Sequence, residues 1–317
     1  YVSETTGYHH GEASLVGTIV KMAQDFVGSN NVPLLVPEGQ FGTRANGGGD
    51  HASARYIFTY LQPIVPLMFP AADEEVLRYT YEDGQRVEPL HFAPLLPMLL
   101  VNGSHGIGTG WSTSVWSYHP VELLDAVVAK LGNEHGKQHA LRPWVRGFNG
   151  VIRVSDATGG RFRSEGIAQL IDGGVQITEL PVGTWTSDYQ DWLREQQAGE
   201  DPLWSTFSYG EKHGESTVDL RLHATEEQLD RLAAADADGK LTFVLKLEAS
   251  HSLRNMHAFD VDGKLQRLER PEDILSAFVT ERLAVYAARK EWSFTRLARE
   301  ERLLRERSKF VRLVLSG

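Results

Sequence analysis

The chain has 317 residues, 41% of them hydrophobic and 23% charged, with a formal net charge of -10. The length suits about two domains of ~100–200 residues each, and the composition is that of a folded globular protein rather than a disordered one. With no cysteine, disulfides and thiolate metal sites are excluded, in keeping with a reducing compartment, and the acid excess means that any nucleic-acid contact must rely on cations gathered locally.

The chain opens at Tyr1 with no Met, basic n-region or apolar h-region, so no signal peptide is read. It stops at Ser316-Gly317 in an apolar helical pattern, and both ends look cut, so a fragment of a longer protein is expected. Residues 12–27, EASLVGTIVKMAQDFV, predict an amphipathic helix: Leu15, Val16, Ile19, Val20, Ala23, Phe26 and Val27 share one face. Gly28 is its expected stop, and Tyr8-His9-His10-Gly11 the turn that leads in. From Asn30 to Asp50 the pattern is that of a loop, with Pro33, Pro37, Gly39, Gly42 and Gly47-Gly48-Gly49. A glycine-rich loop of that length in a compact region usually has a job.

Residues 53–61 resume an apolar, aromatic run with Tyr56 near its start. The most apolar stretch, residues 57–72, is broken by Gln62, Pro63, Pro66 and Pro70. It falls short of the ~20 unbroken apolar residues a bilayer span needs, so no membrane partner is expected. NGSHGIGTGWS (residues 102–112) reads as a second glycine-rich loop, and residues 120–132 as a helix. From about Phe148 to Phe259 short alternating segments predict strands, GVIRVSD, GVQITELP, TVDLRLH and KLTFVLKLEA. The helical pieces SDYQDWLREQQ and TEEQLDRLAAA lie between them, which makes an α+β region. Pro271-Glu272-Asp273 then opens a long charged helix in which Leu297, Leu304 and Val311 recur at heptad spacing, the start of a coiled-coil arm.

Several phrases together resemble the breakage-reunion region of type IIA DNA topoisomerases, the eukaryotic enzymes above all. They are YHHGE (residues 8–12), FVGSNNVPLLVPEGQFGTR (26–44), SARYIFTYL (53–61), QRVEP (85–89), NGSHGIGTGWS (102–112), ITELPVGTWT (177–186) and RKEW (289–292). They stand in the family's order and cover nearly the whole chain. The resemblance implies an α+β fold: a winged-helix (CAP-like) domain over residues 1–118, an α/β tower domain over 119–265, and the start of a long coiled-coil helix over 266–317. It also implies an ATPase domain, an acidic metal-binding domain and a dimer gate with no counterpart here. Two departures stand out: Gly49 occupies a position where relatives often carry Lys, which removes a cation from a phosphate contact, and the tower is only loosely similar.

The chemistry expected of this family suits the residues. Reversible DNA breakage calls for a nucleophile that stores the phosphodiester bond energy, and a phenol does so as a phosphotyrosyl ester. A free tyrosine titrates near ~10, so a cation must favour its phenolate at neutral pH. The resemblance assigns the attack to Tyr56 and transition-state stabilisation to Arg55, whose guanidinium can fork onto phosphate oxygens. It places His10 beside the scissile phosphate, where an imidazole can donate a proton or hydrogen bond. Gln40 and Arg44, and more weakly Lys21, Asn30 and Asn31, are the expected phosphate contacts that position DNA. Ile107 matches the family's DNA-bending isoleucine, an apolar wedge presented by a loop.

No metal site is expected in the chain itself. The resemblance puts Mg²⁺ and ATP in domains outside it, makes double-stranded DNA the partner, a homodimer the assembly and the nucleus the compartment. The fragment alone is then expected to bind DNA weakly and cleave it poorly. Gly106-Ile107-Gly108-Thr109-Gly110 lacks the spacing and the strand–helix context of a dinucleotide loop, and Asp260-Val261-Asp262-Gly263 reads as a hairpin turn rather than a metal pair. Two other readings stay open: a bacterial-type protein of the same family with its ATPase on a separate chain, and a non-catalytic DNA-binding scaffold with a dead tyrosine.

Overall fold

The computed structural model describes residues 1–132, 141–154 and 160–317. Two short leading elements, α1 (Val2–Thr6) and α2 (Glu12–Ala23), precede the long loop. The loop contains a 3-10 turn at Arg44–Asn46, and a second 3-10 turn, Ala54–Tyr56, follows it. Next come α3 (Val65–Met68), the hairpin β1 (Tyr79–Glu82) and β2 (Gln85–Pro89), and α4 (Met98–Asn102). A second hairpin, β3 (Ser104–Gly108) and β4 (Trp111–Val115), leads to α5 (Pro120–Leu131).

The following region holds β5 (Val151–Val154), β6 (Arg161–Glu165), β7 (Ile167–Ile171), β8 (Gly174–Glu179), α6 (Thr186–Gln197), β9 (Thr206–Tyr209) and β10 (Leu220–His223). It closes with α7 (Glu226–Ala237), α8 (Leu241–Val244), β11 (Glu248–Ser252), and the hairpin β12 (Met256–Phe259) and β13 (Leu265–Leu268). Helix α9 (Pro271–Leu315) ends the chain. The fold is mixed α+β.

The helix expected over 12–27 stops at Ala23. Gln24 leaves the helical conformation, and its side-chain amide donates to the carbonyls of Phe41 and Gly48 at 2.9 and 3.2 Å. Asn30 then caps the helix end by donating to the carbonyls of Lys21 and Gln24. The helix is short because its last turn is spent holding the loop, and those carbonyls would otherwise lack donors.

Residues 102–112, expected as loop, are largely a hairpin. β3 pairs with β4 from Ser104↔Val115 to Gly108↔Trp111, and the connection is Thr109-Gly110, with Gly110 at φ +82. Glycine suits that corner because a side chain there would be strained. The segment KLTFVLKLEA, expected as one strand, splits into α8 and β11. Leu241 and Leu245, four apart, both turn into the core, and Lys246 at φ +53 breaks the chain direction between the two elements.

Two main cores hold the molecule. The first joins Leu100, Val101, Val115 and Tyr118 to Leu123 and Ala126 of α5, and to Met256, Ile274 and Leu275 from much later in the chain. The second lies on the four-stranded antiparallel sheet β7-β8-β10-β9. Val175 and Ile177 of β8 and Leu220 and Leu222 of β10 alternate inward at strand period against Tyr189, Leu193 and Leu232 of α6 and α7. Full burial stabilises each such leucine by about 2 kcal/mol. Beside this sheet runs the three-stranded order β11-β6-β5.

Helix α9 starts with a capping box between Arg270 and Asp273. Its first turns are pinned by Ile274, Leu275, Val279 and Val285, and by Arg282 and Arg289, which both reach the buried Asp73 carboxylate at 2.6 and 3.0 Å. Beyond them Leu297, Leu304 and Val311 are exposed. None of the helices among the described residues is long and apolar enough to cross a membrane.

Candidate active site and nucleic-acid interface

Tyr56 ends the 3-10 turn Ala54–Tyr56, whose hydrogen bonds run from Tyr56 N to Ser53 O and from Ile57 N to Ala54 O. After it the chain is extended and pairs antiparallel with residues 34–38. Phe58 and Glu38 exchange both backbone bonds, at 2.9 and 3.1 Å, and Val36 N donates to Tyr60 O. The turn stands out from this pairing, which leaves the Tyr56 side chain 65% exposed. The guanidinium carbon of Arg55 lies 4.9 Å from the Tyr56 ring centroid. An exposed phenol with a permanent cation over its ring is a suitable arrangement for meeting a phosphate.

The glycine-rich loop reaches this turn through Ala52 N, which donates to Gln40 O at 2.9 Å. The Gln40 side chain is exposed and folds back to accept from Gly42 N. Gly42 has φ +97, and a Cβ there would lie 2.6 Å from the Gly48 backbone, so the loop's two arms touch at a point only glycine allows. Asp50 ties the arms again, accepting from Thr43 N and Thr43 Oγ1 at 2.8 and 2.6 Å. Burial works to raise the Asp50 carboxyl, but hydrogen bonds from Thr43, its own backbone and Asn46 together outweigh it and hold its pKa below the usual carboxylate range.

Two residues expected to touch DNA do not face solvent. Arg44 is 4% exposed, and its guanidinium is paired with the buried Glu179 carboxylate and donates to Leu180 O. Asn31 is 3% exposed. Its amide donates to the carbonyls of Val101, Tyr118 and Trp144, and its oxygen accepts from Arg146 N. Both read as surface contacts in the sequence because polar residues in loops usually are; here each is spent on buried partners. Asn30 spends its amide on capping α2, while Lys21 beside it is exposed.

His10 is exposed in the turn before α2, its ring edge-on to Tyr8 at 5.5 Å. Its neighbour His9 is bound instead, with Nε2 2.5 Å from Glu82 Oε1 on β1. Ile107 stands near the tip of the β3–β4 hairpin, 94% exposed. The base of that hairpin is braced by residues from much later in the chain. Ser114 N donates to Asn255 O at 2.6 Å, Asn255 Nδ2 donates to Ser112 Oγ, and Thr113 Oγ1 both donates to His257 O and accepts from His257 N. Trp111 lies against His257 and Phe259.

The residues that shape this surface without standing out in the sequence are Gln24, Asp50, Glu179, Trp185 and Asn255. Only Glu179 and Trp185 carry a signal, since both fall inside the phrase ITELPVGTWT. Among the described residues, no group of three or more His, Asp or Glu side chains is placed to hold a metal ion. An apolar cavity of about 730 Å³ between Phe69, Phe92, Phe259 and Phe278 contains none of the residues expected to act on DNA.

The family model for the A subunit of DNA gyrase/topoisomerase IV matches residues 1–316. The chain is 40% identical over 317 residues to a mitochondrial DNA topoisomerase 2 of Dictyostelium discoideum, covering 100% of this chain and 24% of that protein. It is 41% identical over 322 residues to DNA topoisomerase 2 of Arabidopsis thaliana, covering 100% of this chain and 21% of that one. The chain therefore spans about a quarter or less of the length of these relatives. Among solved structures it resembles the DNA-binding, cleavage and re-ligation domain of Plasmodium falciparum topoisomerase II. The TM-score is 0.88 at 36% identity, over 95% of this chain and 40% of that one.

Proposed function

The chain belongs to the family of DNA gyrase/topoisomerase IV A subunits, alongside the eukaryotic topoisomerase II proteins, and on that premise we propose that it supplies the DNA-cutting surface of such an enzyme, with Tyr56 as nucleophile. The observation that carries the reading is the exposed Tyr56 phenol under the Arg55 guanidinium on a turn that projects from its neighbours. The fold is read as a winged-helix domain over residues 1–118, a tower domain over 119–265 and the start of a coiled-coil arm over 266–317. Helix α5, though placed in the second segment, packs into the first core.

In this reading the Tyr56 oxygen attacks a backbone phosphorus and the bond to the 3′ oxygen breaks. The phenol's proton is lost to solvent or base, and the leaving 3′ oxygen ends as a hydroxyl. Phosphate stays on Tyr56 as a 5′-phosphotyrosyl ester, and the reverse attack restores the strand. Arg55 stabilises the extra negative charge on the phosphoryl oxygens, a contribution on the order of 10²-fold in rate. His10 donates a hydrogen bond to the same phosphate. Lys21, Gln40 and Asn30 contact phosphates that set the register of the duplex, and Ile107 wedges between base steps. The acid excess is tolerable because binding depends on the contact face rather than on the net charge.

We assign Mg²⁺ and ATP to parts of the full-length protein outside these residues, a reading supported by relatives of which this chain spans about a quarter or less, and the steps above are assigned only to this chain's own groups. Two copies, each cutting one strand of double-stranded DNA, would open a gate for a second duplex. The compartment is read as nuclear; a tagged full-length protein that collects in mitochondria would overturn that part. The retained cation beside an exposed phenol favours this reading over a scaffold with a dead tyrosine.

The test incubates the full-length protein with Mg²⁺ and end-labelled duplex, then quenches with detergent, for wild type and Tyr56→Phe in parallel. Protein joined to 5′ ends in the wild type and absent from the variant is the expected result. Equal adduct in both would remove Tyr56 as nucleophile, and none in either despite DNA binding would favour the scaffold.

A further inference from the structure

The loop that leads to Tyr56 is gripped by a segment more than a hundred residues away. Glu179, at the end of β8, is buried, and its carboxylate is fully engaged. One oxygen accepts from the Arg44 guanidinium and from Leu180 N, the other from Asn149 N at 3.0 Å. Six residues on, the Trp185 ring occupies the space a side chain on Gly47 would need and also faces Gly28. It packs edge-on against Phe26 at 5.9 Å. Ser187 Oγ, at the start of α6, donates to Ala45 O at 2.8 Å. An ion pair, an aromatic plate and a hydrogen bond thus hold residues 44–47 from one side, while Gln24 and Asp50 hold the loop's arms together.

Resting on the reading of Tyr56 given above, we infer that Glu179 and Trp185 are positioning residues for DNA cleavage: through Arg44 and Gly47 they set the register of the loop whose far end delivers Gln40 and Tyr56 to DNA. The buried pair is suited to the task. A lone buried guanidinium is strongly disfavoured, so Arg44 has one stable place only while Glu179 is ionised opposite it. The loop itself, rich in glycine, has little intrinsic preference for a single conformation. From Arg44 the constraint travels through Gly42 and Gln40 to the Ala52 amide, four residues before Tyr56. The β-rich region is on this account part of the cleavage apparatus through its hold on residues 44–47.

The test uses the full-length protein with Glu179→Gln, which keeps the shape and removes the charge, Glu179→Asp, which keeps the charge, and Ser187→Ala, which deletes one hydrogen bond and leaves the core intact. Three readouts are taken: duplex affinity, rate of covalent adduct formation with Mg²⁺, and trypsin cleavage after Arg44 without DNA. Glu179→Gln is expected to slow adduct formation by about 10- to 100-fold with duplex affinity nearly unchanged, and to open Arg44 to trypsin. Glu179→Asp should recover much of the rate, and Ser187→Ala should lose a smaller part of it. Adduct formation at the wild-type rate in folded Glu179→Gln or Ser187→Ala overturns the inference, as does a parallel loss of affinity and rate. If the wild type itself forms no adduct while Arg44 still becomes trypsin-sensitive in Glu179→Gln, the clamp exists but the Tyr56 reading fails and takes the positioning role with it.

Discussion

The guanidinium of Arg55 lies over the ring of the residue that follows it, 4.9 Å from the Tyr56 centroid, and both side chains are exposed. Adjacent residues in an extended strand would point to opposite faces; the 3-10 turn brings this pair together. An ammonium could sit over the ring but could not fork onto two phosphate oxygens.

Arg55→Lys in the full-length protein is therefore expected to bind duplex nearly as well as wild type and to form the covalent adduct on the order of 10²-fold more slowly. Single-turnover cleavage with Mg²⁺ reads this directly. A loss confined to affinity, with the cleavage rate kept, would make Arg55 a docking cation only.

Ile107 offers a cleaner separation of binding from shape. Its side chain has almost no contacts to lose, so Ile107→Ala should leave the melting temperature unchanged. In its proposed role as an apolar wedge, its removal takes away part of what offsets unstacking, which costs a few kcal/mol per base step. A fluorescence-transfer measurement on doubly labelled duplex should report less bending, with cleavage falling by about tenfold. Unchanged bending would return Ile107 to the status of an incidental surface residue. The brace beneath it predicts the same phenotype, weaker, for Asn255→Ala.

How much of the fold and the site is legible in the sequence depends on how far each residue's partners lie. The Asp260–Gly263 turn reads correctly because its determinants are local: Asp260 accepts from Asp262 N and Lys264 N within the turn. The start of α9 at Pro271 reads for the same reason. The motif draws attention to Tyr56, whose exposure follows from the short turn that carries it. Arg44 cannot be read, because the carboxylate that buries it is 135 residues away, and a lone arginine beside glycines looks like a surface cation. Asn31 misleads in the same way, since Trp144 and Arg146 reach it only after the chain has folded back. The split of KLTFVLKLEA into helix and strand is hidden because leucines at 241, 245 and 247 satisfy either period.

Asn31 gives a prediction that separates structure from recognition. Alanine there leaves the Val101 carbonyl and the Arg146 amide without their side-chain partner, while the Trp144 carbonyl keeps its bond from Ser117 Oγ at 2.9 Å. Each orphaned buried group costs about 1–3 kcal/mol, with partial relief where water enters. Asn31→Ala should thus lower unfolding stability by about 3 kcal/mol in urea titration. Once the residual folded protein is corrected for, duplex affinity and its salt dependence should match wild type. A reduced salt slope with stability intact would restore Asn31 as a phosphate contact.

The last prediction concerns pH. His251 of β11 lies against the Trp116 indole and the Phe162 ring, at 4.5 and 4.6 Å, with Nε2 2.8 Å from Ser164 Oγ. Burial, and then repulsion from His105, pushes its pKa down from 6.5 to about 4, and burial lowers His105 as well. A depressed pKa means that the unfolded chain binds the proton more readily than the folded one. The stability tied to a neutral His251 is accordingly complete above pH 6.5 and lost as pH falls toward 4. The loss has an upper limit of about 3 kcal/mol, which partial exposure of the ring reduces. His251→Phe keeps an aromatic ring against Trp116 and cannot take up the proton. The gap between variant and wild type, measured by urea unfolding, should move in favour of the variant as the buffer is acidified from about pH 7 to about pH 5. Parallel curves over that window would mean that the folded site accepts the charge, and that His251 packs more loosely against Trp116 than the ring distances imply.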